Sequence, residues 1–388
     1  MIPNPRSSAP TKSAFADRVR LVGAIRCGSW RPLRVAPPLA LLLLIIAAFV
    51  PHTSHSTAQN LTPVSVALDW YPNANHAGLV LADQRGYFAE EGLDVELYTP
   101  ADPTTVLQTV GAGRDTFGIS YQTDVLFARE AGVPVVSTAA LVQHPLNAVL
   151  TKADSGIARP ADLVGKRVGI AGVPSDEALL GTMLAADGAS INDVEIVNVG
   201  FDLMPALFAD RVDAVIGVYW THETILAELQ GVPVTALRVE EWGVPDYYEL
   251  VLTASEQILA EQPETVQAFL RAMQRGYEAA AAEPDAAVDA LIATSPDVQA
   301  EVERQGIALL TPLWTEGGTT PFGTQTADRW NAYGDWMKNM GMLAADVDVN
   351  AAFAPDLLPA GAATPSAATP VASPGASPVA TPMATPVD

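Results

Sequence analysis

From Val64 onward, short apolar runs alternate with amphipathic stretches along the chain. Val64–Leu68 (VSVAL) predicts a strand, Ala77–Phe88 a helix ending near Gly86, and Leu93–Tyr98 (LDVELY) a strand with alternating faces. A helix over Pro103–Val110, a strand over Thr116–Ser120, a helix over Tyr121–Ala131 and a strand over Val133–Ala140 follow. A second cycle comprises Lys166–Ala171, Glu177–Asp187, Glu195–Val199, a helix around Met204–Ala209 and the strand Ala214–Val218. Strands alternating with helices of about ten residues predict an α/β fold of parallel sheets with helices on both faces.

After residue 255 the period becomes purely helical. Val266, Phe269, Leu270, Met273 and Tyr277 form one apolar stripe, and Trp330, Tyr333, Trp336, Met337 and Met340 form another. Both are expected to be core. Two further apolar segments, Ala148–Thr151 and Leu250–Thr253, flank the second α/β cycle. A chain that leaves one lobe and returns by a second strand predicts two lobes, two crossings and a cleft. The first lobe takes residues 59–151 and, in its helical second part, 249–345; the other takes 152–248. In α/β folds the cleft at the carboxyl ends of strands is where ligands bind.

The ends of the chain differ from this body. Leu39–Val50 (LALLLLIIAAFV) is apolar for about 18 Å as a helix, short of the roughly 30 Å bilayer core. It follows a basic stretch and precedes a polar one, the pattern of a secretory signal over residues 1–58, with small residues at Ser56 and Ala58. An exported protein, periplasmic or extracellular, is therefore expected. Residues 346–388 read as a tail rich in Pro, Ala, Ser and Thr, with prolines at 365, 370, 374, 378, 382 and 386. Those prolines forbid helix and sheet ladders and predict an extended, disordered segment.

Charge and composition narrow the function. The chain has 388 residues, 49% hydrophobic and 17% charged, with 21 Lys and Arg against 44 Asp and Glu. Seven of the basic residues but one acid lie in the first 58, so the remainder carries 14 basic and 43 acidic residues. Such a body repels nucleic acid and anionic lipid. The single cysteine, Cys27, excludes a disulfide framework and a Cys-rich metal site, and no motif for a nucleophile, a P-loop or a dinucleotide follows a strand. No catalytic residue, metal or cofactor is expected.

Candidate chemistry gathers at predicted strand ends. Asp69-Trp70-Tyr71-Pro72-Asn73-Ala74-Asn75-His76 follows the first strand, and Ser120-Tyr121-Gln122 follows the third. In the second cycle, Pro174-Ser175-Asp176-Glu177 and Tyr219-Trp220-Thr221-His222-Glu223 take the equivalent places, and Pro245-Asp246-Tyr247-Tyr248-Glu249 precedes the return. This set suits a flat, uncharged or weakly basic heterocycle, with ring faces on aromatics and amino groups on acceptors. Acids in the first turn of the helix near Ser175 would repel an anion there.

These stretches resemble a known family. LDWYPNANHAGL with GYFAEEGLDVE, together with ISYQTDV, HPLN, DLVGKRVG, VDAVIG and VPDYYELV, is similar to the thiamine-pyrimidine family of ABC-importer substrate-binding proteins, over roughly residues 62–343. The resemblance implies a two-lobed, type 2 periplasmic-binding fold with its helical end on the first lobe. It implies capture of an aminopyrimidine thiamine precursor, of the formylaminopyrimidine or hydroxymethylpyrimidine type, by a monomer that serves an ABC permease and its ATPase. Trp70, Asn75 and His76 match the opening motif and Tyr121 the SYQ block. Glu177, Trp220 and Tyr247 are the expected contributions from the second half of the cleft. Riboflavin or another flat heterocycle is the alternative ligand. Fungal relatives are thiamine-pyrimidine synthases that use iron, a lysine-bound pyridoxal phosphate and a Cys-rich motif; this chain has no cysteine after Cys27 and no lysine in Trp70–Gly78.

Export predicts a mature N-terminus at or near Gln59. N-terminal sequencing of the secreted protein checks this. A product that keeps Leu39–Val50 would make the segment a membrane anchor.

Overall fold

The computed structural model describes residues 61–355 together with 357 and 358. The expected signal segment and the Pro-rich stretch from residue 359 lie outside the described residues. In chain order the first half contains β1 (Thr62–Ala67), α1 (Ala77–Gln84), α2 (Tyr87–Glu90), β2 (Leu93–Tyr98), α3 (Val106–Gly111), β3 (Phe117–Ser120), α4 (Gln122–Glu130) and β4 (Val135–Val142). Next come β5 (Asn147–Lys152), β6 (Arg167–Ile170), α5 (Pro174–Ala186), β7 (Glu195–Asn198), α6 (Leu203–Phe208), β8 (Ala214–Tyr219), α7 (Glu223–Leu229) and β9 (Val234–Arg238). The chain closes with β10 (Leu250–Ser255), α8 (Glu256–Glu261), α9 (Pro263–Ala282), α10 (Pro284–Thr294), α11 (Ala300–Trp314) and α12 (Ala327–Asn339). Strand β9 escaped the periodic reading because it is an edge strand whose residues are nearly all half-buried, which blurs the alternation. The predicted helix over Ala77–Phe88 is two helices, because Gly86 adopts φ +72° between them.

Ten strands form two five-stranded sheets, ordered β2-β1-β3-β10-β4 and β7-β6-β8-β5-β9. The α/β architecture agrees with expectation, but the sheets are mixed rather than parallel. Strand β10 runs antiparallel to both β3 and β4, and β5 runs antiparallel to β8 and β9. The physical reason lies in the crossings. The other four strands of each sheet end at the cleft, so a strand that enters its sheet from the cleft must run against them.

The helical end packs as the stripes predict, except that Trp336 is half-buried and Met340, past the end of α12, is exposed. Val266, Phe269, Leu270, Met273 and Tyr277 of α9 are buried against α1 and the first sheet. Trp330 of α12 stacks on Phe353 at 5.2 Å, and Val349, Ala352 and Phe353 are buried. Residues 346–355 therefore belong to the fold; the expected boundary at 346 fell too early because proline repeats begin only beyond it. Arg329 of α12 reaches both crossings, donating to the Gln143 main-chain oxygen and pairing with Asp246 at 2.7 Å.

Helices α1 and α9 meet at two glycines. A Cβ on Gly276 would lie 2.1 Å from the main-chain oxygen of Gly78, and one on Gly78 would lie 2.2 Å from the Tyr277 ring. This approach lets the Tyr277 hydroxyl donate to the Asn75 carbonyl at 2.6 Å, pinning the loop after β1. Gly276→Ala should cost about 1–3 kcal/mol, since overpacking outweighs a helix-propensity gain of about 1 kcal/mol. Gly181→Ala, whose added carbon meets nothing nearer than 3.8 Å, should be neutral or slightly stabilising. Urea unfolding compares the two; equal midpoints would show that α1 and α9 separate without cost.

Candidate functional site

The loops after β1, β3, β6 and β8 converge with both crossings on a small cavity. Its aromatic wall is Trp70, Tyr121, Tyr219 and Tyr247. Asp176 and Glu249 supply carboxyl groups, while Thr123, Asn147, Ser175 and Gly217 complete the polar lining. No Lys, Arg or His lines it among the described residues. Trp70 sits where the halves meet, with its ring 4.7 Å from Phe201, which follows β7.

Of the residues expected at the site, Trp70, Tyr121 and Tyr247 are brought together here. Asn75 and His76 stand behind the wall. Asn73 N–H donates to His76 Nδ1 at 3.2 Å, so the ring proton resides on Nε2 and points to Asp69 Oδ1 at 2.9 Å. Asp69 also accepts from the Tyr121 hydroxyl at 3.2 Å, which aims that ring. The amide of Asn75 donates to Asn73 Oδ1 at 3.0 Å. Both buried side chains thus shape the loop that presents Trp70, and neither reaches the cavity.

Glu177 and Trp220 are each displaced by one position from the residue that does face it. Helix α5 starts at Pro174, and successive residues are turned about 100° on a helix. Asp176 is wholly buried in the wall while Glu177 is exposed to solvent. At the end of β8, neighbouring side chains point to opposite sides. Tyr219 faces the cavity, and Trp220 instead donates from Nε1 to the Pro145 carbonyl at 3.3 Å beneath the Arg238 guanidinium, 3.9 Å from its ring.

The carboxyl groups define the electrostatics. Asp176 Oδ2 accepts from Gly172 N–H at 2.9 Å, whereas Oδ1 has no partner. Burial, helped by nearby Asp124, pushes its pKa up to about 8. Asp124 accepts from the main chain and hydroxyl of Ser175 at 2.8 and 3.0 Å, and burial raises it to about 7. Glu249 accepts from Leu146 N–H at 2.7 Å, Asn147 N–H at 3.1 Å and the Tyr247 hydroxyl at 2.8 Å; burial still raises it to about 7. The Tyr219 hydroxyl is buried without a partner. The site therefore offers aromatic faces, one unpartnered carboxyl oxygen and one unpartnered phenol.

Asp176, Tyr219 and Glu249 were missed as site residues, although one sequence signal points to Asp176. Gly217 lies in strand β8 with φ +84°, and a Cβ there would meet Asp176 Oδ1 at 2.7 Å. A glycine inside a strand pattern marks such a close approach.

Residues 73–287 match the family model described as NMT1/THI5 like. A formylaminopyrimidine-binding protein of Halalkalibacterium halodurans is 38% identical over 320 residues, covering 81% of this chain and 96% of that protein. A riboflavin-binding protein of Chloroflexus aurantiacus is 30% identical, over 83% of this chain and 97% of its own. A pyrimidine phosphate synthase of Legionella pneumophila is 28% identical, over 76% and 92%. Among solved structures, the alkanesulfonate-binding protein of Xanthomonas axonopodis pv. citri superposes with a TM-score of 0.62 at 18% identity, over 76% of this chain and 99% of that one. That likeness shows the two-lobed periplasmic-binding architecture. With the family model spanning more than half of its length and a relative at 38% identity along most of it, the chain belongs to the NMT1/THI5-like family.

Proposed function

We propose that this chain is the exported substrate-binding protein of an ABC importer and captures an aminopyrimidine precursor of thiamine between its lobes. One lobe is assigned to the sheet β2-β1-β3-β10-β4 with the helical end and the other to the sheet β7-β6-β8-β5-β9, so that Asn147–Lys152 falls in the second lobe and not in the first as expected. The observation that carries the ligand assignment is the unpartnered Oδ1 of Asp176 in a cavity walled by four aromatics and free of basic side chains. A sulfonate or phosphate would need cations or a bare helix N-terminus. Here the start of α5 is occupied by Asp176 itself. A ring nitrogen and an exocyclic amino group instead find a carboxyl donor, a phenol and stacking faces. The formylaminopyrimidine-binding relative supports the same ligand class. Absence of cysteine after Cys27 and of lysine along the cavity supports binding over synthesis.

Mass spectrometry of ligand released from the denatured protein tests the reading directly. Trp70→Ala should weaken aminopyrimidine binding by about 1–3 kcal/mol, roughly 5- to 150-fold, through lost stacking and burial. Calorimetry with formylaminopyrimidine, riboflavin and taurine is the comparison. Tight taurine binding indifferent to Trp70→Ala overturns the heterocycle assignment, and tight riboflavin binding with none of the pyrimidine transfers it to the flavin.

Asp176 gives a second test. With its pKa raised to about 8, the side chain is neutral at pH 7 and Oδ1 can donate to a ring nitrogen. Affinity should be level below about pH 7 and fall about tenfold per unit well above pH 8, as the donor is lost. Asp176→Asn keeps a donor and should abolish that alkaline decline. Affinity that rises through pH 8 would mean that the ligand pairs with the ionised carboxylate.

A further inference from the structure

Beyond Trp70 the cleft opens into a second, larger space. Trp70, Tyr71 and Phe201 bound it with their rings, and Leu203, Met204 and Val302 add apolar wall. The Phe201 ring lies 4.7 Å from Trp70 and 4.9 Å from Tyr71, inclined at 61° and 45°, so the three rings form one tilted cluster. A third, small space shares Trp70, Asn73, His222 and Glu223 with this compartment and Trp70, Tyr121, Gly217 and Tyr219 with the first cavity.

Its charge is one-sided. Among the described residues, Asp202, Glu223, Asp297 and Glu303 border it against a single cation, His222, and no Lys or Arg lines it. His222 sits between Glu223, 2.9 Å from Nδ1, and Glu303, 3.3 Å from Nε2. Burial disfavours its imidazolium, but these two carboxylates prevail and hold its pKa up to about 10. One positive charge is thus already committed to two negative ones. Glu303 remains incompletely satisfied: it is 2% exposed, and its Oε2 has no partner. A buried, unpartnered carboxylate oxygen beside aromatic rings is a place for a positive charge that carries apolar surface.

We propose that this compartment is a subsite for a cationic organic extension of the pyrimidine ligand, held by Glu303 and the rings of Trp70, Tyr71 and Phe201. The inference rests on the first cavity being the pyrimidine site. An extension from a ring stacked on Trp70 enters the compartment past that side chain, which lines both spaces. An ammonium or pyridinium group meets acids and ring faces there, whereas a phosphate ester meets the acids and a His222 already paired with Glu223 and Glu303. Ligand choice is then made twice in one cleft, by the heterocycle in the first cavity and by the sign of its substituent in the second.

Calorimetry with three aminopyrimidines differing only in their substituent tests this: hydroxymethyl, its phosphate ester, and a pyridinium carried on the methylene. The pyridinium compound should bind about tenfold more tightly than the hydroxymethyl one. The phosphate ester should bind at least tenfold more weakly. In Glu303→Gln and in Phe201→Ala the pyridinium-to-hydroxymethyl ratio should fall toward one. A ratio that stays unchanged in both variants, or a phosphate ester bound as well as the cation, overturns the subsite while leaving the pyrimidine reading intact. If neither the hydroxymethyl compound nor formylaminopyrimidine binds, the pyrimidine reading falls. The free cation benzyltrimethylammonium then decides the subsite: binding weakened by Glu303→Gln supports it, and no binding overturns it.

Discussion

One buried carboxyl group, that of Glu249, holds together the features on which the cleft depends. It lies at the end of the returning crossing and binds the main-chain N–H groups of Leu146 and Asn147 at the end of the outgoing one. Its own N–H donates to the Val142 carbonyl at 3.1 Å, so the residue joins both passages between the lobes. It also accepts from the Tyr247 hydroxyl and thereby aims a ring of the cavity wall. Three donors around one side chain offset much of the cost of burying it, though its raised pKa shows that the offset is incomplete. Removing such a group would strand the Leu146 and Asn147 N–H groups in the interior, at a cost on the order of 1–3 kcal/mol each.

A second consequence of burial is selectivity. The cavity is acidic by composition yet holds Asp176 and Glu249 with pKa values near neutrality. Such groups can donate as well as accept hydrogen bonds, which matches a heterocycle whose edge alternates ring nitrogens and amino groups. The solved alkanesulfonate-binding protein shares the architecture at 18% identity, a likeness of fold alone.

The helical C-terminal part extends the influence of residues distant from the cavity. Tyr333 of α12 packs 5.0 Å from Tyr247, and its hydroxyl bonds Thr123 at 2.7 Å, so the far end of the chain braces two lining residues. Tyr277 of α9 does the same for the loop that carries Trp70, through the Asn75 carbonyl. The α9 stripe is core, as its period predicts, and the second stripe is core at Trp330, Tyr333 and Met337. Their value to the site lies in the single polar atom each directs toward it.

What the sequence by itself determined follows from local periodicity. Strand β2 is found over Leu93–Tyr98, and the α9 stripe from Val266 to Tyr277 is buried throughout. Alternation of strands and helices, with strand-end loops rich in aromatics and acids, was enough to place Trp70, Tyr121 and Tyr247 at a cleft. Tertiary structure alone decided strand direction, because β5 and β10 have nothing in their own residues to say from which end of a sheet they enter. It also decided between neighbours: Asp176 over Glu177, and Tyr219 over Trp220. Adjacent residues of similar chemistry are indistinguishable in composition, and their facing depends on where a helix starts or a strand ends. His76 illustrates the same limit, since an imidazole at a strand end can serve a ligand or a loop. Its two ring nitrogens went to Asn73 and Asp69, partners that only the folded turn brings within reach.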